Sequence, residues 1–307
     1  MGPRTYRITS VDGAALHVEE EGAGAPILFI HEFAGDHRSW EPQVRYFSKA
    51  HRCITYSARG YPPSDVPDDA DAYSQAHAID DALAVMDGLA VEQAHVVGLS
   101  MGGFCALHLA RLHPERLLST AIAGVGYGAT PDKRISFRRE CEAIAKAFAE
   151  EGSAQVAARY AIGPARVQFQ NKDPRGHARF AAALAQHSPI GSSLTMRGVQ
   201  ANRPSLYDFE MDFATMTTPV LIMVGDEDEG AIEASLMLKK AIPTAGLSLF
   251  PKSGHTLNLE EPEMFNESLV NFFKAVAGGN WGPRDPRSFS LSITGMSEPN
   301  EAAEEML

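Results

Sequence analysis

Read for its apolar and polar positions, the chain opens with two short segments of period two, around residues 5–10 and 15–20. They flank Asp12-Gly13, a pair suited to the positive φ angles of a tight turn, so an antiparallel hairpin is predicted. The pattern then changes to compact apolar runs at 27–30, 53–56, 95–99 and 117–123, resuming at 220–224 and 247–250. Runs without a polar face are buried on both sides. Joined by helical stretches, they imply a mostly parallel sheet with helices packed on both faces, an α/β fold. A helical segment beginning near Pro262 and containing Phe265, Leu269, Val270 and Phe273 closes this pattern, and proline suits a first helical turn.

Between about Gly126 and Met216 the strand signal vanishes. Alanine-rich helical stretches are punctuated there by Gly152, Gly163-Pro164, Asp173-Pro174, Pro189 and Pro204. The organisation predicted is a core of residues 1–125 and 217–280, an inserted helical cap of 126–216, and an irregular tail of 281–307 with an acidic, mobile end. The cap's Phe148, Phe169, Phe180, Leu184, Leu194 and Met196 are expected mostly to pack helices, with a minority facing a substrate.

Composition narrows the function. With 307 residues and 44% hydrophobic content, the chain can bury one large core plus a modest insertion. No stretch approaches 18 uninterrupted apolar residues, and the N-terminus lacks a charged-then-apolar leader, so neither a membrane span nor export is expected. Cys53, Cys105 and Cys141 are odd in number and lie in apolar segments, as reduced core cysteines do, which points to the cytoplasm. A net charge of -12 without a basic run opposes nucleic-acid binding. A small, largely apolar or neutral substrate is the partner expected.

The candidate chemistry centres on Gly98-Leu99-Ser100-Met101-Gly102. The apolar strand at 95–99 runs directly into Ser100, and a helical pattern through Met101, Phe104, Leu107, Leu109 and Leu112 follows. A serine on so sharp a strand-to-helix turn needs tiny neighbours, and its hydroxyl projects beyond the sheet edge beside helix N–H groups. A hydroxyl is a poor nucleophile without an adjacent base that is itself oriented by an acid. His255, on the loop after the strand at 247–250, fits the base. The acid should follow the strand at 220–224, where Asp228 is favoured and Asp226 and Glu227 are alternatives. For an oxyanion, one donor is the backbone N–H of Met101. A second comes from the loop His31-Glu32-Phe33-Ala34-Gly35, where Phe33 is the choice. His31-Glu32 begins like a zinc motif, but Gly35 stands where the second histidine would be required, so no metal is expected.

With Ser100, Asp228 and His255 in that order, the sequence resembles the α/β-hydrolase family from Tyr6 to about Ala275. Ala58-Arg59-Gly60-Tyr61-Pro62-Pro63-Ser64-Asp65 is similar to the family's R-G-x-G-x-S-D loop, and Gly254-His255 followed by Glu261-Pro262 is family-like. Glu32 replaces the glycine usual after the oxyanion-loop histidine, and Pro62 replaces the middle glycine of the arginine loop. Glu32 is read either as part of a structural hydrogen-bond network or as a residue tuning substrate choice, and Arg59 as a structural ion-pair partner. The resemblance implies a cofactor-independent serine hydrolase acting through an acyl-enzyme, with carboxylic esters leading. Enol-lactones, amides and vinylogous diketones are alternatives, and a small-molecule receptor with a retained triad is an alternative of another class.

Overall fold

The computed structural model describes residues 2–289, so the acidic end of the expected tail lies outside the described residues. Eight strands form one sheet: β1 (Arg4–Thr9), β2 (Ala15–Gly22), β3 (Ala25–Ile30), β4 (His51–Tyr56), β5 (Ala94–Leu99), β6 (Leu117–Ala123), β7 (Val220–Gly225) and β8 (Ala245–Phe250). Their order is β1-β2-β4-β3-β5-β6-β7-β8. β2 is antiparallel to β1 and β4, and the remaining pairs are parallel.

Burial explains these choices. In β2 every second residue points inward, so Leu16 and Val18 are fully buried, and Glu20 is neutralised there by Arg4 and Arg52 at 2.6 and 2.7 Å. The turn before it is looser than the sequence suggests. Ser10 N–H donates to Ala14 O at 2.8 Å around Gly13, whose φ is 95°. β5 and β7 are buried at every position. β8 is an edge strand and is mostly half-buried, its margin covered by Trp281, which donates from Nε1 to Thr244 O at 2.8 Å.

Helices α1 (Glu41–Phe47), α2 (Gln75–Gly88) and α3 (Met101–Leu112) follow β3, β4 and β5. After β6 the chain leaves the sheet through α4 (Arg134–Glu151), α5 (Ser153–Tyr160), α6 (Val167–Lys172), α7 (Pro174–Leu184), α8 (Pro189–Thr195) and α9 (Glu210–Ala214). After β7 come α10 (Glu229–Ala241), α11 (Leu257–Glu260) and α12 (Pro262–Ala277). Residues of α2, α3 and α10 pack on one face of the sheet, and those of α1 and α12 on the other. A third cluster joins Phe33 and Met101 to Phe148, Phe169, Phe180 and Leu184 of the helical excursion. The end of that excursion belongs elsewhere: Leu206, Phe213 and Met216 are buried in the cluster containing α3 and α10.

The strand order reverses between β3 and β5, since β3 leads outward to β4 while β5 leads to β6 on the opposite side. Loops leaving the carboxyl ends of these two strands therefore diverge, which opens a crevice where ligands bind in open α/β sheets.

Candidate active site

Ser100 sits at that crevice. Its φ of 52° and ψ of -113° lie outside the conformations a side chain favours, a strain of roughly 1–3 kcal/mol that persists only where the surroundings enforce it. The enforcement is local. A Cβ on Gly98 would stand 2.1 Å from Gly102 O, and one on Gly102 would stand 2.1 Å from Ile30 O. Only glycine lets the turn close and lets α3 press against the end of β3. Ser100 is half-buried, and it and His255 line one cavity of about 590 Å³ between the sheet and the helical excursion.

His255 and Asp228 arrive on the loops after β8 and β7. His255 Nδ1 lies 2.7 Å from Asp228 Oδ2, and Tyr127 donates its hydroxyl to Asp228 Oδ1 at 3.0 Å. An ionised carboxylate only accepts, so Nδ1 carries the proton and Nε2 keeps a lone pair. Burial opposes ionisation of the fully buried Asp228. The imidazole, the Tyr127 hydroxyl and the Arg166 charge outweigh it and hold the carboxyl below its ordinary value. The alternatives point elsewhere: Asp226 accepts from Ser253 N at 3.1 Å, and Glu227 from Gln168 Nε2 at 2.6 Å.

On the loop after β3, His31 Nδ1 donates to Glu32 O at 2.6 Å while its Nε2 accepts from Ala58 N at 3.0 Å. Burial lowers the His31 pKa, in keeping with this neutral tautomer. Among the described residues, neither Phe33 N–H nor Met101 N–H donates in the backbone bonds of the turns, loops and caps. The Phe33 side chain is buried against Tyr61, Phe148 and Tyr160.

Glu32 is buried and binds Arg166 through both oxygens, with Nη1 donating to Oε1 at 2.9 Å and Nη2 to Oε2. Arg166 Nη1 also donates to Thr256 Oγ1, next in sequence to His255. His255 N–H in turn donates to Ala165 O at 2.9 Å, so the helical excursion is fastened to both loops of the site. Of the two readings of Glu32, the network one describes its contacts. Arg59 is paired with Asp81 at 2.6 Å and with Asp12 at 2.5 Å.

Tyr127, Arg166 and Arg203 also line the cavity and were missed in the sequence. They lie in the stretch without strand signal, where no periodicity marks which side chains turn inward. Of the six apolar residues singled out there, Met196 is on the cavity wall. Among the described residues, His17, Glu19 and His37 have ligand atoms within 4.8 Å of one another and could hold a metal ion. They stand on β2 and the turn after β3, and none lines the cavity. The three cysteines are free and buried, and no described helix is long and apolar enough to cross a membrane.

The comparisons with known proteins agree with this architecture. A family model described as alpha/beta hydrolase fold matches residues 25–262. The chain is 27% identical over 272 residues to 3-oxoadipate enol-lactonase 1 of Acinetobacter baylyi, an alignment covering 88% of this chain and 97% of that protein. Two solved structures share the fold. A thermophilic esterase from Thermogutta terrifontis aligns with a TM-score of 0.78 at 23% identity, covering 89% of this chain and 99% of that one. The enol-lactonase from Burkholderia xenovorans LB400 aligns with a TM-score of 0.75 at 22% identity, covering 88% and 100%.

Proposed function

The chain belongs to the α/β-hydrolase fold family and is an enzyme of the hydrolase type; on that premise we propose that it cleaves a small carboxylic ester with a serine nucleophile, through an acyl-enzyme. One observation carries this reading. Ser100, on its strained turn, and His255, whose Nδ1–H is committed to buried Asp228, face the same cavity. The cavity's volume is of the order that small ligands occupy.

In this mechanism His255 Nε2 removes the Ser100 proton as Oγ attacks the ester carbonyl carbon, and the carbonyl electron pair moves onto oxygen. The N–H groups of Phe33 and Met101 bind that oxyanion. Its collapse expels the alcohol, protonated by His255, and leaves Ser100 acylated. A water then gives up a proton to His255 and attacks the acyl carbon, the acid departs, and Ser100 recovers its proton. Asp228 holds the imidazole tautomer and stabilises its cationic form throughout.

A lactone is an internal ester opened by the same steps, and the relative named an enol-lactonase favours it as a second reading. Stopped-flow hydrolysis of short p-nitrophenyl esters, with mass spectrometry of the quenched protein, tests both steps. The expected result is multiple turnover with an acyl adduct on Ser100. Single labelling by a fluorophosphonate without turnover of any ester or lactone would overturn the reading and favour a receptor.

A further inference from the structure

We propose that Arg203 forms an anion subsite in this cavity and that the substrate carries a carboxylate that pairs with it, an inference that rests on the hydrolase reading above. Three arginines line the cavity. Arg159 is exposed and bonded to Glu151 at 2.7 and 3.0 Å, and Arg166 is taken by Glu32. Arg203 is 5% exposed and has no acidic partner among the described residues. Its Nη groups donate to two neutral acceptors, Gln200 Oε1 and Tyr127 O, while Nε is buried without an acceptor. Its guanidinium lies over Phe104 at 3.6 Å and Phe137 at 5.3 Å.

This is not how the chain treats its other buried guanidiniums. Arg59 receives two carboxylates, Asp12 and Asp81, and Arg166 receives Glu32. A buried charge left without its counter-ion is strongly unfavourable, so such a group is kept where a ligand completes it. Burial lowers the Arg203 pKa to about 9, and the group still carries its charge at neutral pH.

The position suits a substrate contact. Phe104 lies one turn along α3 from Ser100, and Tyr127, whose carbonyl holds Arg203, gives its hydroxyl to Asp228. Glu140, the acidic residue on the cavity wall, is exposed. The net charge of -12 pointed to an uncharged substrate, but Arg203 sets a positive charge without an acidic partner, among the described residues, on the cavity wall, and it is the local field that the substrate meets.

The test compares kcat/KM for p-nitrophenyl hemi-esters of succinic, glutaric and adipic acid, and for acetoxybenzoates, with uncharged esters of equal length. The expected result is a preference of roughly 30-fold or more for at least one charged member, as the loss of a buried ion-pair partner implies. The charged-to-neutral ratio should collapse in Arg203→Gln and be retained in part in Arg203→Lys, whatever the absolute rates. Calorimetric titration of glutarate and adipate into the wild-type protein and both variants supplies a second readout, with binding expected for the wild type and lost in Arg203→Gln. Turnover of neutral esters without charge preference, or a preference that survives Arg203→Gln, would overturn the subsite. If no ester turns over, the ester reading falls, and the titration alone decides whether Arg203 binds a carboxylate.

Discussion

Replacing Glu32 with alanine removes the counter-ion of Arg166 while leaving that guanidinium where it is. The two side chains are 3% and 4% exposed, so water does not take over the lost contact. Breaking a buried pair from one side costs about 3–5 kcal/mol, because a charge is stranded. With an unfolding entropy of about 2.1 cal/mol/K per residue, a chain of 307 residues should lose roughly 5–8 °C in Tm. Replacing both partners, as Glu32→Ala with Arg166→Met, removes the stranded charge. The double variant should therefore be more stable than Glu32→Ala alone, with a coupling energy of about 1–3 kcal/mol. Differential scanning calorimetry of the four proteins at pH 7 measures this. A Glu32→Ala protein within about 1 °C of wild type, equivalent to only ~0.6 kcal/mol, or purely additive effects, would refute the claim that this pair fastens the helical excursion to the loop after β3.

Other perturbations probe the site itself. Gly98→Ala drives a Cβ to 2.1 Å from Gly102 O, so about 1–3 kcal/mol of stability or more and most turnover should be lost; a protein with wild-type Tm and rate would contradict the account of the turn. Tyr127→Phe leaves Asp228 Oδ1 without the donor it has at 3.0 Å, a loss of about 1–3 kcal/mol, expected to lower kcat more than it raises KM; an unchanged kcat would dismiss Tyr127 as a positioning residue. Asp228→Asn should lower kcat by about 10³–10⁴-fold by imposing the wrong histidine tautomer. Because the folded state holds Asp228 below its ordinary value of 3.8, its carboxylate contributes stability above that pH, lost as the pH falls through the lower folded value. Chemical denaturation from about pH 5 down to about pH 2 should therefore show a shallower acid loss in Asp228→Asn, and superimposable curves would exclude that contribution.

The sheet was readable because strands buried on both faces leave uninterrupted apolar runs. The predicted run at 117–123 coincides with β6, and the others fall within β3, β4, β5, β7 and β8, short only where a flanking polar or small residue continues the ladder. Ser100, His255 and Asp228 could be named because each follows such a run. Their placement after a strand is a one-dimensional property. Arg166 and Arg203 could not be found that way. Each is an arginine in an alanine-rich helical stretch, and its meaning comes from what faces it: Glu32, 134 residues earlier for Arg166, and the absence, among the described residues, of an acidic partner for Arg203. The packing of Leu206, Phe213 and Met216 into the main core was hidden for the same reason, since an apolar helical face does not state its partner.

The central claim is that Ser100 is the nucleophile, and the direct measurement is steady-state hydrolysis of p-nitrophenyl esters by Ser100→Ala beside the wild type, with Tm and circular dichroism recorded on the same samples. The substitution removes one oxygen from a half-buried position, so fold and Tm should be unchanged while kcat falls by roughly 10⁴-fold or more. A folded Ser100→Ala protein that retains ester turnover would contradict the account.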